Sequence, residues 1–220
     1  MVSLLEAKSA VSHQPSGRWR SEDANFAHIP RPKIEGMLQL RKATETDVPQ
    51  ILAFIRALAE YEREPDAVVA TEAGLLRDGF GPRPFYECLM ADWDGKPAGF
   101  ALWFYNYSTW TGSAGIHLED LFVYPDLRGK GIGKALLAQV AAVAHKRGCP
   151  RLQWQVLDWN TPAIEFYQSL GGRFLDEWRN VRMEPEAIAR LAALAPGLSK
   201  PGISKPGVSK PLASESERAQ

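Results

Sequence analysis

Between Asp126 and Leu137 the chain reads DLRGKGIGKALL: glycine at 129, 131 and 133, basic residues at 128, 130 and 134, and then an apolar run. The segment before it, GIHLEDLFVYP, has strand character and stops at Pro125. Leu136, Leu137, Val140, Ala141 and Ala144 then recur at helical spacing. A strand, a glycine turn and a helix in that order define an α/β unit. The helix start aims free N–H groups and a positive dipole end at the glycines. Glycine lets backbone approach an anion without a Cβ in the way, so the turn suits a phosphate-bearing ligand. The plain alternative is a tight βα turn with solvated lysines.

Residue types exclude two nucleotide patterns. A P-loop read back from Gly133-Lys134 needs glycine at 128 and Ser or Thr at 135, where Arg128 and Ala135 stand. A dinucleotide fingerprint begun at Gly129 needs glycine in place of Lys134; begun at Gly131, it needs glycine in place of Leu136. What remains is Arg128-x-x-Gly131-x-Gly133 between a strand and a helix.

Around this unit the pattern is mixed. MLQLRKA reads as a strand, followed by a helix with Val48, Ile51, Leu52, Ile55, Leu58 and Ala59 on one face. Thr46 is the expected N-cap of that helix, because Pro49 then falls in its first turn. Thr71–Asp78 reads as a second short helix closed by Gly79, and Asp94-Gly95 as a tight turn between two strands. RLQWQVL is an expected strand, TPAIEFYQSLG a helix, and RFLDEWRNVRM another strand or strand pair. The order β-α-α-β-β-β-α-β-α-β predicts a mixed α/β (α+β) layer fold.

Composition narrows the function classes. Lys plus Arg equal Asp plus Glu at 26 each, so the chain lacks the electrostatic footprint of a general nucleic-acid binder. No apolar run approaches the ~18 residues of a membrane span, and no secretory signal is evident at the N-terminus. Cys88 and Cys149 are too few for a disulfide framework or a thiolate metal site and read as reduced, buried thiols, which suits a cytoplasmic protein. Residues 1–36 are expected to be an extended or disordered leader, with Met37 a candidate start. Residues 196–220, with the repeat SKPGISKPGVSKP, are expected to be a flexible tail, leaving 37–195 as the folded domain.

Several further segments carry a resemblance. ATETDVPQILAFIRALAEYE, DGFGPRPFYECLMA, YSTWTG, LEDLFVYPDLRGKGIG and VLDWNTPAIEFYQSLG run in order between about Leu38 and Leu194. Together they resemble the diamine acetyltransferase branch of the GNAT superfamily, which includes spermidine/spermine and especially thialysine N-acetyltransferases. The resemblance implies a GNAT fold with a mixed, mostly antiparallel sheet flanked by helices. It also implies direct transfer of acetyl from acetyl-CoA to a primary amine in a ternary complex, without a metal, by a homodimer acting on a small molecule.

The residue roles follow from the same resemblance. The strand backbone of Leu121, Phe122 and Val123 would pair with pantetheine. Arg128, Gly129, Lys130, Gly131, Ile132, Gly133 and Lys134 would hold the pyrophosphate. Asn160 would meet the cofactor through its amide, unless it only caps a helix. Tyr167 matches the tyrosine described as proton donor to the departing thiolate, and Glu119 the glutamate credited with water-assisted deprotonation. Tyr61, Glu62, Ser108, Trp110, Glu119 and Asp120 fall at acceptor positions.

Magnitudes set limits on these roles. A substrate amine near pKa 10.4 arrives as ammonium, and a carboxyl near 4.3 is a weak base for it. A phenol near 10 protonating a thiolate near 8.5 is uphill by roughly 2 kcal/mol, so hydrogen-bonding the sulfur is the better role. Strand alternation places Glu119 and Asp120 on opposite faces and His117 with Glu119, as a packing or rim residue. His145 suits the end of a helix. Ser108 stands where spermidine/spermine enzymes carry an acid, which favours a smaller lysine-like or diamine acceptor. A peptide acetyltransferase and a non-catalytic acetyl-CoA sensor are the alternative readings.

Overall fold

The computed structural model describes residues 36–197, which fall into two compact units meeting between Gly172 and Arg173. The expected leader and tail lie almost wholly outside the described residues. In the first unit, β1 (Leu38–Lys42), α1 (Val48–Tyr61) and α2 (Glu72–Phe80) precede three long strands. These are β2 (Glu87–Trp93), β3 (Lys96–Ser108) and β4 (Ser113–Val123), followed by α3 (Ile132–Lys146), β5 (Leu152–Gln153) and α4 (Thr161–Ser169). The sheet order is β1-β2-β3-β4-β5, antiparallel throughout except for the parallel β4–β5 pair. The expected mixed, mostly antiparallel sheet with flanking helices is therefore present.

Each face of the sheet has its own core. On the α1 side Phe54 stacks on Phe100 with centroids 5.3 Å apart, among Ile51, Met90 and Phe122. On the α3 side Trp103, Ile116 and Leu118 pack with Ile132, Leu136 and Val140. Truncating a fully buried ring such as Phe54 to alanine costs about 3–5 kcal/mol. The β2–β3 turn is as expected, with Asp94 at φ 50° and Gly95 at φ 76° in the doubly left-handed geometry that matches strand twist.

Thr46 does not cap α1, whose N-cap is Asp47, while Thr44 caps the turn ahead of it. The Thr44 N–H and hydroxyl both donate to Asp47 Oδ2 at 2.8 Å, closing a short 3-10 turn (Glu45–Asp47) ahead of α1. The Arg41 guanidinium binds Asp47 at 2.7 and 2.8 Å and Asp92 at 2.7 Å, holding the Asp47 carboxyl down to about 2. That hub ties β1 and β2 to the start of α1. Thr71 caps α2 by accepting from the Gly74 N–H at 3.1 Å. Gly79 lies inside α2 rather than closing it, because a Cβ there would collide with the Tyr86 ring.

One irregularity reshapes the site. Leu102 pairs with Asp120 and Trp103 with Leu118, so Glu119 is an extra residue in β4. This β-bulge switches the strand's faces. Ile116 and Leu118 belong to the α3-side core, whereas Phe122 belongs to the α1 side. Glu119, in phase with His117, and Asp120, opposite Leu102, therefore both turn to the α1 face. The expectation of opposite faces fails, since strict alternation does not survive an inserted residue.

Two expected strands shrink or vanish. Of RLQWQVL only Leu152–Gln153 pairs, with Ile116 and His117, before the chain diverges. RFLDEWRNVRM forms no strand: in the second unit residues 173–184 are irregular, with a turn from the Trp178 N–H to the Leu175 carbonyl. Its apolar alternation acquires no ladder partner among the described residues, and without one a strand leaves its backbone groups unpaired. An unanticipated helix, α5 (Pro185–Ala192), follows, with Pro185 at its first position.

Candidate active site

The β4–β5 ladder stops at His117–Gln153, so the outer edge of β4 from Leu118 to Val123 has no strand partner among the described residues. An extended amide-bearing chain can pair with such an edge, which is what Leu121, Phe122 and Val123 were expected to offer. Directly beyond it the chain enters the glycine turn. Gly129 and Gly131 lie at φ 78° and 83°, left-handed geometry that an L side chain adopts only at a cost. Gly133 is ordinary helix, and a Cβ there would meet only Val123 Cγ2 at 3.8 Å. In the first turn of α3 the N–H groups of Ile132, Gly133 and Lys134 precede the first intrahelical bond, from Ala135 to Gly131 at 2.9 Å. The turn and the edge fit a pyrophosphate followed by a pantetheine arm.

The cations divide. Lys130 Nζ rests over Trp93 at 5.3 Å. Arg128 turns toward α1: its Nε donates to the Val123 carbonyl at 3.1 Å and its guanidinium lies 4.3 Å over Tyr61. Asn160 caps α4, accepting from the Ala163 N–H at 3.4 Å and, more closely, from the Tyr61 hydroxyl at 3.0 Å. Arg128, Tyr61 and Asn160 therefore join the glycine turn, the end of α1 and the start of α4.

Along the same strand, carboxylates influence one another. Burial raises the Glu62 carboxyl, and burial together with the charges of Glu119 and Glu62 pushes Asp120 up to about 7. Tyr167, packed on Trp154 with centroids 5.0 Å apart, is pushed up to about 12 by burial and by Glu62. Three separate elements, α1, β4 and α4, thus bring Glu62, Asp120 and Tyr167 into one electrostatic cluster. Glu119 is different: its side chain is 55% exposed, with one oxygen 3.7 Å from His117 Nε2. His117 stacks on Phe104 at 5.0 Å, the packing role expected of it.

Ser108 and Trp110 do not join this cluster. Ser108 is buried at the β3–β4 hairpin tip, where its hydroxyl accepts from the Thr111 N–H at 3.3 Å, and Trp110 is exposed in the same turn. Ser108 lies six positions along β3 from Leu102, the partner of Asp120, which is about 20 Å of strand. Sequence reading missed the bulge, and with it the influence of Glu62 on Asp120. It also missed the contact of Arg63 with Trp159. The signal for Arg63 was a bulky residue directly after a helix end, where glycine is usual.

The profile of the acetyltransferase (GNAT) family matches residues 47–172. The thialysine N-epsilon-acetyltransferase of Sus scrofa is 44% identical over 164 residues, 70% of this chain and 96% of that protein. The L-ornithine N5-acetyltransferase of Arabidopsis thaliana is 32% identical, covering 71% of this chain and 88% of its own length. Among solved structures, an integron cassette protein from the mobile metagenome of V. cholerae superposes with a TM-score of 0.61 at 26% identity, over 71% of this chain and 99% of that one. Fold and sequence together define an acyltransferase, here with a glycine turn and an open strand edge on the strand that carries Glu119 and Asp120. The chain belongs to the acetyltransferase (GNAT) family and is an amine N-acetyltransferase.

Proposed function

We propose that this protein moves the acetyl group of acetyl-CoA to the terminal amine of a small lysine-like amino acid or diamine, by direct attack with both substrates bound. The observation that carries this reading is the Asp120 carboxyl, mostly withdrawn from water on the strand that bears the open edge and under the charges of Glu119 and half-buried Glu62. Two carboxylates suit an ammonium, and Asp120 near 7 is a far better proton acceptor than an ordinary carboxyl. Taking a proton from an amine at ~10.4 is uphill by roughly 9 kcal/mol for a carboxyl near 4 and by roughly 5 kcal/mol for one near 7. Asp120 is accordingly the base in this proposal. Exposed Glu119 helps by raising it and by holding water at the rim.

Bound acetyl-CoA supplies a thioester carbonyl at which the neutral amine forms a C–N bond as the C–S bond breaks. Gly129–Lys134 and the edge of Leu121–Val123 hold and align the donor. Tyr167 stays a phenol: full transfer from about 12 to a thiolate near 8.5 is uphill by roughly 5 kcal/mol, so it serves as a hydrogen-bond donor to the departing sulfur. A cytoplasmic homodimer belongs to the same proposal, supported by the family resemblance and by the two free thiols of Cys88 and Cys149.

Thiol release from acetyl-CoA, measured with thialysine, lysine, ornithine, putrescine, spermidine, aminoglycosides and lysine peptides, tests it. Turnover is expected with the small amino acids or diamines. Turnover confined to peptides would sink the small-molecule reading.

A further inference from the structure

The ends of three helices in the first unit make a controlled comparison. α1, α3 and α4 each close with the same hydrogen bond, running back five residues. These bonds are Glu64 N–H to the Ala59 carbonyl, Cys149 to Ala144 and Gly172 to Tyr167, all at 2.9 Å. That closure needs one left-handed residue. α3 uses Gly148 at φ 66° and α4 uses Gly171 at φ 89°, whereas α1 uses Arg63 at φ 67°. A bulky side chain in this conformation is disfavoured.

What Arg63 gains is a position. Its Cζ lies 4.4 Å over the Trp159 ring, and Trp159 in turn lies 6.2 Å from the Tyr61 ring. None of the ion pairs among the described residues involves Arg63. The other guanidinium nearby, Arg128, is committed to the Val123 carbonyl and Tyr61. A guanidinium held over a ring can still offer its N–H fork to an acceptor, and that fork matches a carboxylate in two parallel hydrogen bonds. The neighbouring residue, Glu62, is half-buried and felt electrostatically by Asp120 and Tyr167. The end of α1 thus carries a half-buried acid beside an exposed cation held on Trp159. A lysine-like acceptor carries the opposite pattern: a terminal ammonium at one end and a carboxylate at the other.

We propose that Arg63, held over Trp159, binds the carboxylate of the acceptor and selects amino acids over diamines of the same length. This rests on the small-amine reading above. The test compares wild type with Arg63→Gly, Arg63→Lys and Arg63→Glu. The substrates are thialysine and ornithine, each beside its counterpart lacking only the carboxylate (the thioether diamine and putrescine). Glycine suits the backbone at this site, so Arg63→Gly is expected to melt no lower than wild type. Its KM for the amino acids should rise about tenfold with kcat nearly unchanged, while its KM for the diamines stays level or falls. Lysine, a point charge without the fork, should retain part of the preference, and Arg63→Glu should reverse it. If the wild type takes amino acids and Arg63→Gly shifts both classes equally or neither, the carboxylate role is wrong while the small-amine reading stands. If the wild type turns over none of the four amines, both fall together.

Discussion

Under the proposed function, the two halves of the site are built by different means. The donor half is backbone: two left-handed glycines, the first N–H groups of α3 and an open strand edge, all within Leu118–Lys134. The acceptor half is side chains: Glu62 just past α1, Asp120 beside a bulge in β4 and Trp159 just before α4, with Tyr167 of α4 between the two halves. A backbone cradle is specified by local residue types and tolerates any side chain that keeps out of it. A side-chain pocket depends on how distant elements meet, and a single inserted residue can redirect it.

Perturbing each half should give different signatures. The largest effect is expected from Asp120→Asn, a fall in kcat/KM on the order of 10²–10⁴ with loss of the rising limb near pH 7, whereas Glu119→Gln loses less than tenfold. Steady-state pH profiles decide between them, and the reverse ranking would return the base to Glu119. The same Asp120 variant should change stability in the other direction. Its folded-state value lies above the unfolded ~3.9, so the folded chain binds the proton more tightly. The resulting cost is absent below pH 4, grows as pH rises toward 7 and is constant above it. Asp120→Asn should therefore be more stable than wild type at pH 8 by roughly 2–4 kcal/mol and show no such gain at pH 4, as read by denaturant melts.

Tyr167→Phe comes next, with kcat down on the order of 100-fold and donor affinity nearly unchanged. Unaltered turnover would remove the phenol from the chemistry. The smallest effect, and the sharpest for the comparison, is at Gly133→Ala. Its Cβ makes only an ordinary 3.8 Å contact with Val123 Cγ2 in helical backbone, so the fold should gain about 0.5–1 kcal/mol. The donor KM should nevertheless rise about tenfold, the equivalent of one weakened backbone–anion contact. A variant that is more stable and binds the donor as tightly as wild type would show that the turn is only a turn.

This division explains what the sequence disclosed. The glycine turn, the Asp94-Gly95 hairpin and the helical stripes of α1 and α3 were legible because each depends on neighbours a few residues apart. Thr44 and Thr46 are equally good caps locally, and the choice between them was made by Arg41 reaching Asp47 across from β1. The bulge at Glu119 has no marker in the sequence, since LED is as acceptable in a regular strand. It exists because β3 and β4 must satisfy two cores at once, with Trp103 and Leu118 on one face and Phe100 and Phe122 on the other. Ser108 and Trp110 were assigned to the acceptor from resemblance alone, and the length of the hairpin carries them away from Asp120.

The two-residue ladder between β4 and β5 has a consequence for the idle enzyme. A sheet edge with free N–H and C=O groups is a liability that proteins usually cover with charge, proline or a further strand. Here the gap lies inside the fold, and under the proposed function the donor's amide-bearing arm is the piece that fills it. The substrate would then act as a detachable strand. Amide exchange along Leu118–Val123 should slow when donor is present, and resistance to proteolysis should follow the supply of acetyl-CoA.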